Sequence, residues 1–563
     1  MRAFRGEPRR ASASVAAVLV AASIFLVPVA GSGQQPGQAF GPPIRLIPPP
    51  SQPLPVSPDL PPPGVIREDP VTSEPLASPP LGWAASGAPP REALPRTFWR
   101  GTTRPMADLL LARMPDTLSP ALQTLERRLL LSPAAAPEGP DENDHTLPVL
   151  RATALLRLGE LDAARAVVAA IPERERGPAL PLAVAADAIS GDIGRACATV
   201  REAVRREEGA FWQTASIACQ ALQGETEQAS LGMQLLAEEG GPLNEALAAA
   251  VATLADQSPP ITVDRGQNLD PLTLRMLVRA QLNLAPALID DLRSDLALCL
   301  ALDAEAPVGT RLAAAERAAR FGALPPDRLS VLYAAATSRG EPSDEPARDH
   351  ARRFAAIGQA TTTEQASRVV TFAEGFGASP PGGFALAARL VLPALREINP
   401  DPTFAASAPI ITRLLIAAGD ISAARRWSML TSAAERRSLR VLLALATGGE
   451  EQLEAPRAPV LLALASALAQ PISSADWARL PEAFWRDPGP PSPPPAAWLD
   501  LAEAAPANRI GETALAALMV AAPTGPVSTD PVALFAAVSG LRRVGLEADA
   551  RRLAVEAALA AGL

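Results

Sequence analysis

The residues able to do chemistry are few, and their spacing excludes most of it. The two histidines, His145 and His350, each follow an aspartate and are far apart, so no helical histidine pair can hold zinc. The chain has no Cys-x-x-Cys, no phosphate-cradling Walker loop and no Gly-x-Ser-x-Gly elbow. Asp141-Glu142-Asn143-Asp144-His145 offers oxygen and imidazole ligands, but the spacing and glycine of a calcium loop are missing, so it reads as a solvated connection between helices. Gly375-Phe376-Gly377 copies half of a dinucleotide fingerprint, and the following Ala-Ser-Pro-Pro prevents the helix start that pyrophosphate binding needs. Carboxylate pairs such as Glu207-Glu208 and Glu238-Glu239 lie on helices; acid and base work needs surroundings that drive two pKa values apart. No Glu-Ser pair stands in the context of a glycan-cleaving site. The sequence assigns no catalytic, cofactor-binding or metal-binding residue and is read as that of a non-enzyme.

What positions these residues is a repeat. Gly159, Gly191 and Gly224 recur at intervals of 32 and 33, and each is followed five residues later by alanine: Ala164, Ala196, Ala229. The glycine supplies the left-handed conformation that ends one helix, and the alanine lets the next helix pack closely. A period near 33 predicts tetratricopeptide-like helical hairpins, units that bury an apolar face only by stacking. The device returns at Gly419 with Ala424 and at Gly545 with Ala550. In this register Cys197 lies near the start of the second helix of one repeat and Cys219 near the end of the first helix of the next. Antiparallel neighbours bring those positions to one edge of the stack, which predicts a Cys197–Cys219 disulfide in an oxidising compartment, while Cys299 reads as a core residue.

The fold class expected is therefore all-α, a helical-hairpin solenoid. Repeats run over 97–260, a degenerate helical array over 261–487, a proline-rich break over 488–495 and a helical cap over 496–563. Within the array, Thr273 to Leu284, Leu292 to Leu302, Thr310 to Phe321 and Asp327 to Thr337 read as helices. Composition agrees: Ala and Leu dominate, Tyr333 is the single tyrosine and all basic residues are arginine.

Residues 1–31 form a basic start and an apolar run from Val15 to Ala30, closed by small residues. This is a secretory signal pattern, predicted to be cleaved rather than kept as a membrane anchor. The net charge is −9, and the arginine-rich first 31 residues carry a balance of +3, which leaves the remainder near −12. That sign, and the lack of a long arginine stripe, argue against a nucleic-acid partner. Residues 32–96 are expected to be a disordered tether, since nearly one residue in three from Pro36 to Pro95 is proline.

The signal, the tether, Phe98-Trp99-Arg100-Gly101, the segment Phe211-Trp212-Gln213 through Cys219-Gln220-Ala221-Leu222 and the ending Gly545 to Ala557 together resemble an alphaproteobacterial exported helical-repeat family. Its members often carry the label "antifreeze glycopeptide". The resemblance implies an exported protein and names no active site. Ice binding needs a flat, regular threonine array, and Thr361-Thr362-Thr363 is the only threonine cluster. The function expected is a periplasmic scaffold that binds an envelope protein or peptide; the alternatives are an enzyme or binder of envelope glycan and an ice-associated protein.

Overall fold

All five repeat glycines adopt the conformation that their spacing predicts. Gly159, Gly191, Gly224, Gly419 and Gly545 have φ of +72°, +88°, +85°, +82° and +82°. At each, the amide after the glycine donates back five residues, as from Glu160 to the Leu155 carbonyl and from Asp192 to the Asp187 carbonyl. The same residue then accepts the first bond of the next helix: Glu160 O from Ala164, Asp192 O from Ala196, Leu546 O from Ala550. One residue thus closes one helix and opens the next. The alanine five places on has 0–1% of its surface exposed in all five turns.

This computed structural model describes Trp83 and residues 90–562, apart from 140–145, 239, 241–243, 265–268, 338–344, 378–381, 449–458, 479 and 481–492. The expected signal, most of the tether and the Asp141–His145 run lie outside the described residues. The fold is an all-α solenoid. Its first part is α1 (Arg104–Ala112), α2 (Pro120–Leu131), α3 (Thr146–Arg157), α4 (Leu161–Ala170), α5 (Leu180–Ser190), α6 (Ile193–Ala203), α7 (Ala210–Leu222), α8 (Thr226–Glu238) and α9 (Glu245–Leu254). The middle comprises α10 (Pro271–Arg279), α11 (Pro286–Asp291), α12 (Ser294–Ala301), α13 (Val308–Arg320), α14 (Pro326–Thr337), α15 (Pro346–Gly358), α16 (Thr362–Gly377) and α17 (Gly383–Glu397). Then follow α18 (Ala408–Ala417), α19 (Ile421–Ser428), α20 (Ala433–Thr447), α21 (Pro459–Ala467), α22 (Ser474–Ala478), α23 (Pro495–Ala504), α24 (Ile510–Ala521), α25 (Pro531–Arg543) and α26 (Glu547–Ala560). Two short parallel strands, β1 (Thr262–Val263) and β2 (Asn283–Leu284), brace the turn after α10.

Two sequence expectations are corrected. The helix expected over Thr273–Leu284 stops at Arg279, because Gln281 takes φ +54° and Leu282 donates back to the Leu277 carbonyl. The chain then enters β2. The tether expected over 32–96 is too long, since Trp83 is fully buried and its indole donates to the Leu129 carbonyl at 3.3 Å. Its ring meets Phe98 and Trp99 edge to face, with the Arg151 guanidinium 4.7 Å over it. Leu94 is also buried, and its amide donates to Ser132 Oγ. An aromatic ring of this size buries enough apolar area to hold Trp83 against the body.

The last helices do not stand apart from the first. α2 packs on α3, on α24 and on α26, and α1 packs on both α3 and α24. α26 also packs on α18 and α20, and α25 on α21. The helices following the 488–495 break are therefore joined both to the preceding array and to the first two helices.

Candidate functional site

The predicted disulfide is present. Cys197 on α6 and Cys219 on α7 are bonded with their Cα atoms 5.5 Å apart, and both are buried. Cys299 on α12 is outside the disulfide and fully buried; burial pushes its thiol up to about 12, which keeps it protonated at neutral pH. The bridge places the chain in an oxidising, exported compartment. No helix among the described residues is long and apolar enough to cross a membrane.

The α2 helix gathers polar groups that the sequence left unassigned. Its cap Ser119 donates to Glu556 on α26 at 2.8 Å, and the same carboxylate accepts from the Ala121 amide. Gln123 donates to the carbonyls of Thr117 and Arg320. Arg127 bonds Glu160 at 2.6 Å and also the Leu158 and Gly322 carbonyls, joining the α3–α4 turn to the turn after α13. Arg128 pairs with the buried Asp549 of α26 at 2.5 Å. One helix thus binds the early, middle and late parts of the array. Glu126, 5% exposed, has its carboxyl pushed up to about 8, first by burial and then by nearby Asp116, against the pull of Arg127 and Arg157. Burial likewise raises Glu556 to about 7, opposed by its bonds to Ala121 and Ser119 and by the charge of Arg389.

A second polar cluster lies where α24 begins. Gly511 donates to the Phe98 carbonyl at 2.8 Å, and a methyl group there would come within 2.8 to 2.9 Å of the Phe98 and Trp99 rings. Seven buried polar atoms without a well-formed hydrogen bond gather around it: Trp99 Nε1, Thr102 Oγ1, Asp500 Oδ2, Arg509 Nε, both Glu512 carboxyl oxygens and Thr513 Oγ1. Arg509 comes within 2.7 Å of Glu512, in an orientation too skewed for a hydrogen bond. Asp500 and Glu512 are two carboxyls facing each other, and only a shared proton turns that contact into a bond. Burial and Asp500 accordingly hold Glu512 up at about 7, while Thr102 and Arg509 pull it down.

His350, which follows an aspartate in the sequence, is 9% exposed. Its Nδ1 lies 3.0 Å from Glu316, which also accepts from Tyr333 at 2.8 Å and Arg320 at 3.3 Å. The group ties α13, α14 and α15 together. Among the described residues no set of three or more His, Cys, Asp or Glu side chains is gathered to hold a metal ion.

A groove of about 890 Å³ lies between the turns at 173–179 and the end of α6, the helix that carries Cys197. Glu173, Arg174, Glu202, Arg206 and Glu207 line it with charges of both signs. Arg206 spans toward Glu173 at 3.6 Å, and Gly177 gives the Glu207 carboxylate room that a methyl group would fill. No protein-family model, curated protein or solved structure matches the chain.

Proposed function

We propose that the protein is a non-enzymatic periplasmic scaffold whose early repeats hold an envelope protein or peptide. The observation that carries this reading is the groove beside α6. α6, which supplies one wall, is pinned to α7 by the disulfide, so the groove presents charged groups of both signs on a surface that does not need to be ordered on binding. Such a lining suits the backbone and mixed charges of a polypeptide better than an anionic polymer. The groups with acid–base character, Glu126 and Glu512, are 5% and 0% exposed, which leaves a glycan chain no approach to them. The partner therefore meets the outer groove, since α1, α2 and Trp83 are packed within the array.

The test is a photo-crosslinker placed at Glu202 in the exported full-length protein, with the same group at exposed Glu364 on α16 as control. A discrete protein adduct from position 202 alone is expected. No adduct, or the same adduct from both positions, would overturn the assignment.

A further inference from the structure

In a chain of net charge −9, the stretch from Arg413 to Arg440 sets six arginines against only two carboxylates. Both carboxylates are engaged. Asp420 caps α19 through the Ala423 amide and pairs with Arg396 at 3.1 Å. Glu435 completes a reciprocal cap with Ser432 at the start of α20. Arg436 turns back over the end of α19 and donates to the carbonyls of Ser428, Met429 and Thr431, which fixes the corner between the two helices.

Around this corner four arginines form no ion pair among the described residues: Arg425 and Arg426 in the last turn of α19, Arg437 and Arg440 in the first turns of α20. All four are exposed. At the apex stands Met429, 64% exposed and the most exposed large apolar side chain among the described residues. Burying it would be favourable, and none of the described residues covers it.

We propose that this α19–α20 corner is a docking point for an anionic phospholipid surface. The arginines supply donors for headgroup phosphates, and Met429 inserts at the level of the acyl boundary. An exposed turn that carries an apolar side chain between two groups of exposed cations suits a plane; a bound peptide would ask for a concave seat. The acidic remainder of the chain is repelled by the same surface, so contact is made through this corner and the groove beside α6 stays free.

The test is co-sedimentation of the mature protein with vesicles of phosphatidylcholine, with or without phosphatidylglycerol. Binding is expected only with phosphatidylglycerol and should weaken as salt is raised. An interfacial cation accounts for about a fivefold change in partitioning. The variant carrying R425Q, R426Q, R437Q and R440Q should therefore lose at least about tenfold, at a melting temperature little changed because the four side chains hold no ion-pair partner among the described residues. Met429→Ser should lose severalfold on these vesicles and nothing against soluble polyglutamate. Equal binding to both vesicle types, or full binding by the fourfold variant, would overturn the proposal. Binding to polyglutamate as tight as to vesicles, with Met429→Ser neutral, would overturn it in favour of an acidic protein partner.

Discussion

Replacing Gly159 by alanine should cost far more than the same change at Gly224, although both occupy equivalent turns. Each has a left-handed φ, +72° and +85°, for which a methyl group costs about 1–2 kcal/mol. At Gly224 a Cβ would meet nothing within 4 Å, whereas at Gly159 it would stand 2.0 Å from the backbone oxygen of Ala323. That carbonyl belongs to the turn that Arg127 ties to Leu158 through Gly322, so the two turns must separate by roughly an ångström and strain both bonds. Overpacking of this kind adds about 1–3 kcal/mol, and a weakened bond to a charged group about 1.5 more. Gly159→Ala should therefore lose roughly 3.5–6.5 kcal/mol and Gly224→Ala roughly 1–2. Urea unfolding of both variants, followed by helical circular dichroism, measures the difference as a shift in midpoint. Equal midpoints would refute the packing of the first repeat against the middle of the array.

Acid should stabilise the fold. Glu126, Glu512 and Glu556 are held at about 8, 7 and 7, above the ordinary value of 4.5, so the folded chain keeps protons that the unfolded chain releases. Stability is then greatest near pH 5, falls as pH rises through 7 to 8, and is flat beyond. Melting temperatures at pH 5.5 and 8 should differ by about 2–5 °C in that direction; a higher value at pH 8 would contradict it. Peptide mapping without reductant should find Cys197 linked to Cys219 and Cys299 free. Replacing both bridged residues by alanine should cost about 3 kcal/mol for a span of 22 residues, read as a lower melting temperature with helix content retained. Tyr333→Phe removes one of the donors to buried Glu316 and should cost about 1–2 kcal/mol in urea. His350→Ala also forfeits ring contact with Phe376 at 4.8 Å and should cost more.

The repeat turns were legible because glycine marks a left-handed residue whatever surrounds it. Other turns stayed hidden for the converse reason: Asp256, Gln281 and Ala469 in the array and its edge, and Asn508 in the last helices, take φ of +53° to +56° with no glycine to announce it. After each of them an amide donates back five residues, as from Gln257 to Ala252 and from Arg509 to Ala504, so the turn is the same and its signal is missing. The disulfide followed from the register, a short-range matter. The role of α2 did not, because Ser119, Gln123, Glu126, Arg127 and Arg128 look like the polar face of any solvated helix. Their partners lie as far away as Glu556. Trp83 was hidden by the prolines around it. The corner at Met429 is a property of exposure, and exposure appears only once the neighbours are in place.

The central claim is that the array is assembled around α2, with the first and last helices in contact. Hydrogen exchange followed by mass spectrometry tests it directly on the whole mature protein. The amides of 122–131 should fall in the slowest class, together with those of α24 and α26, since opening α2 requires parting it from early, middle and late helices at once. Exchange of 122–131 within seconds, while α3 to α8 and α24 to α26 remain protected, would contradict the account.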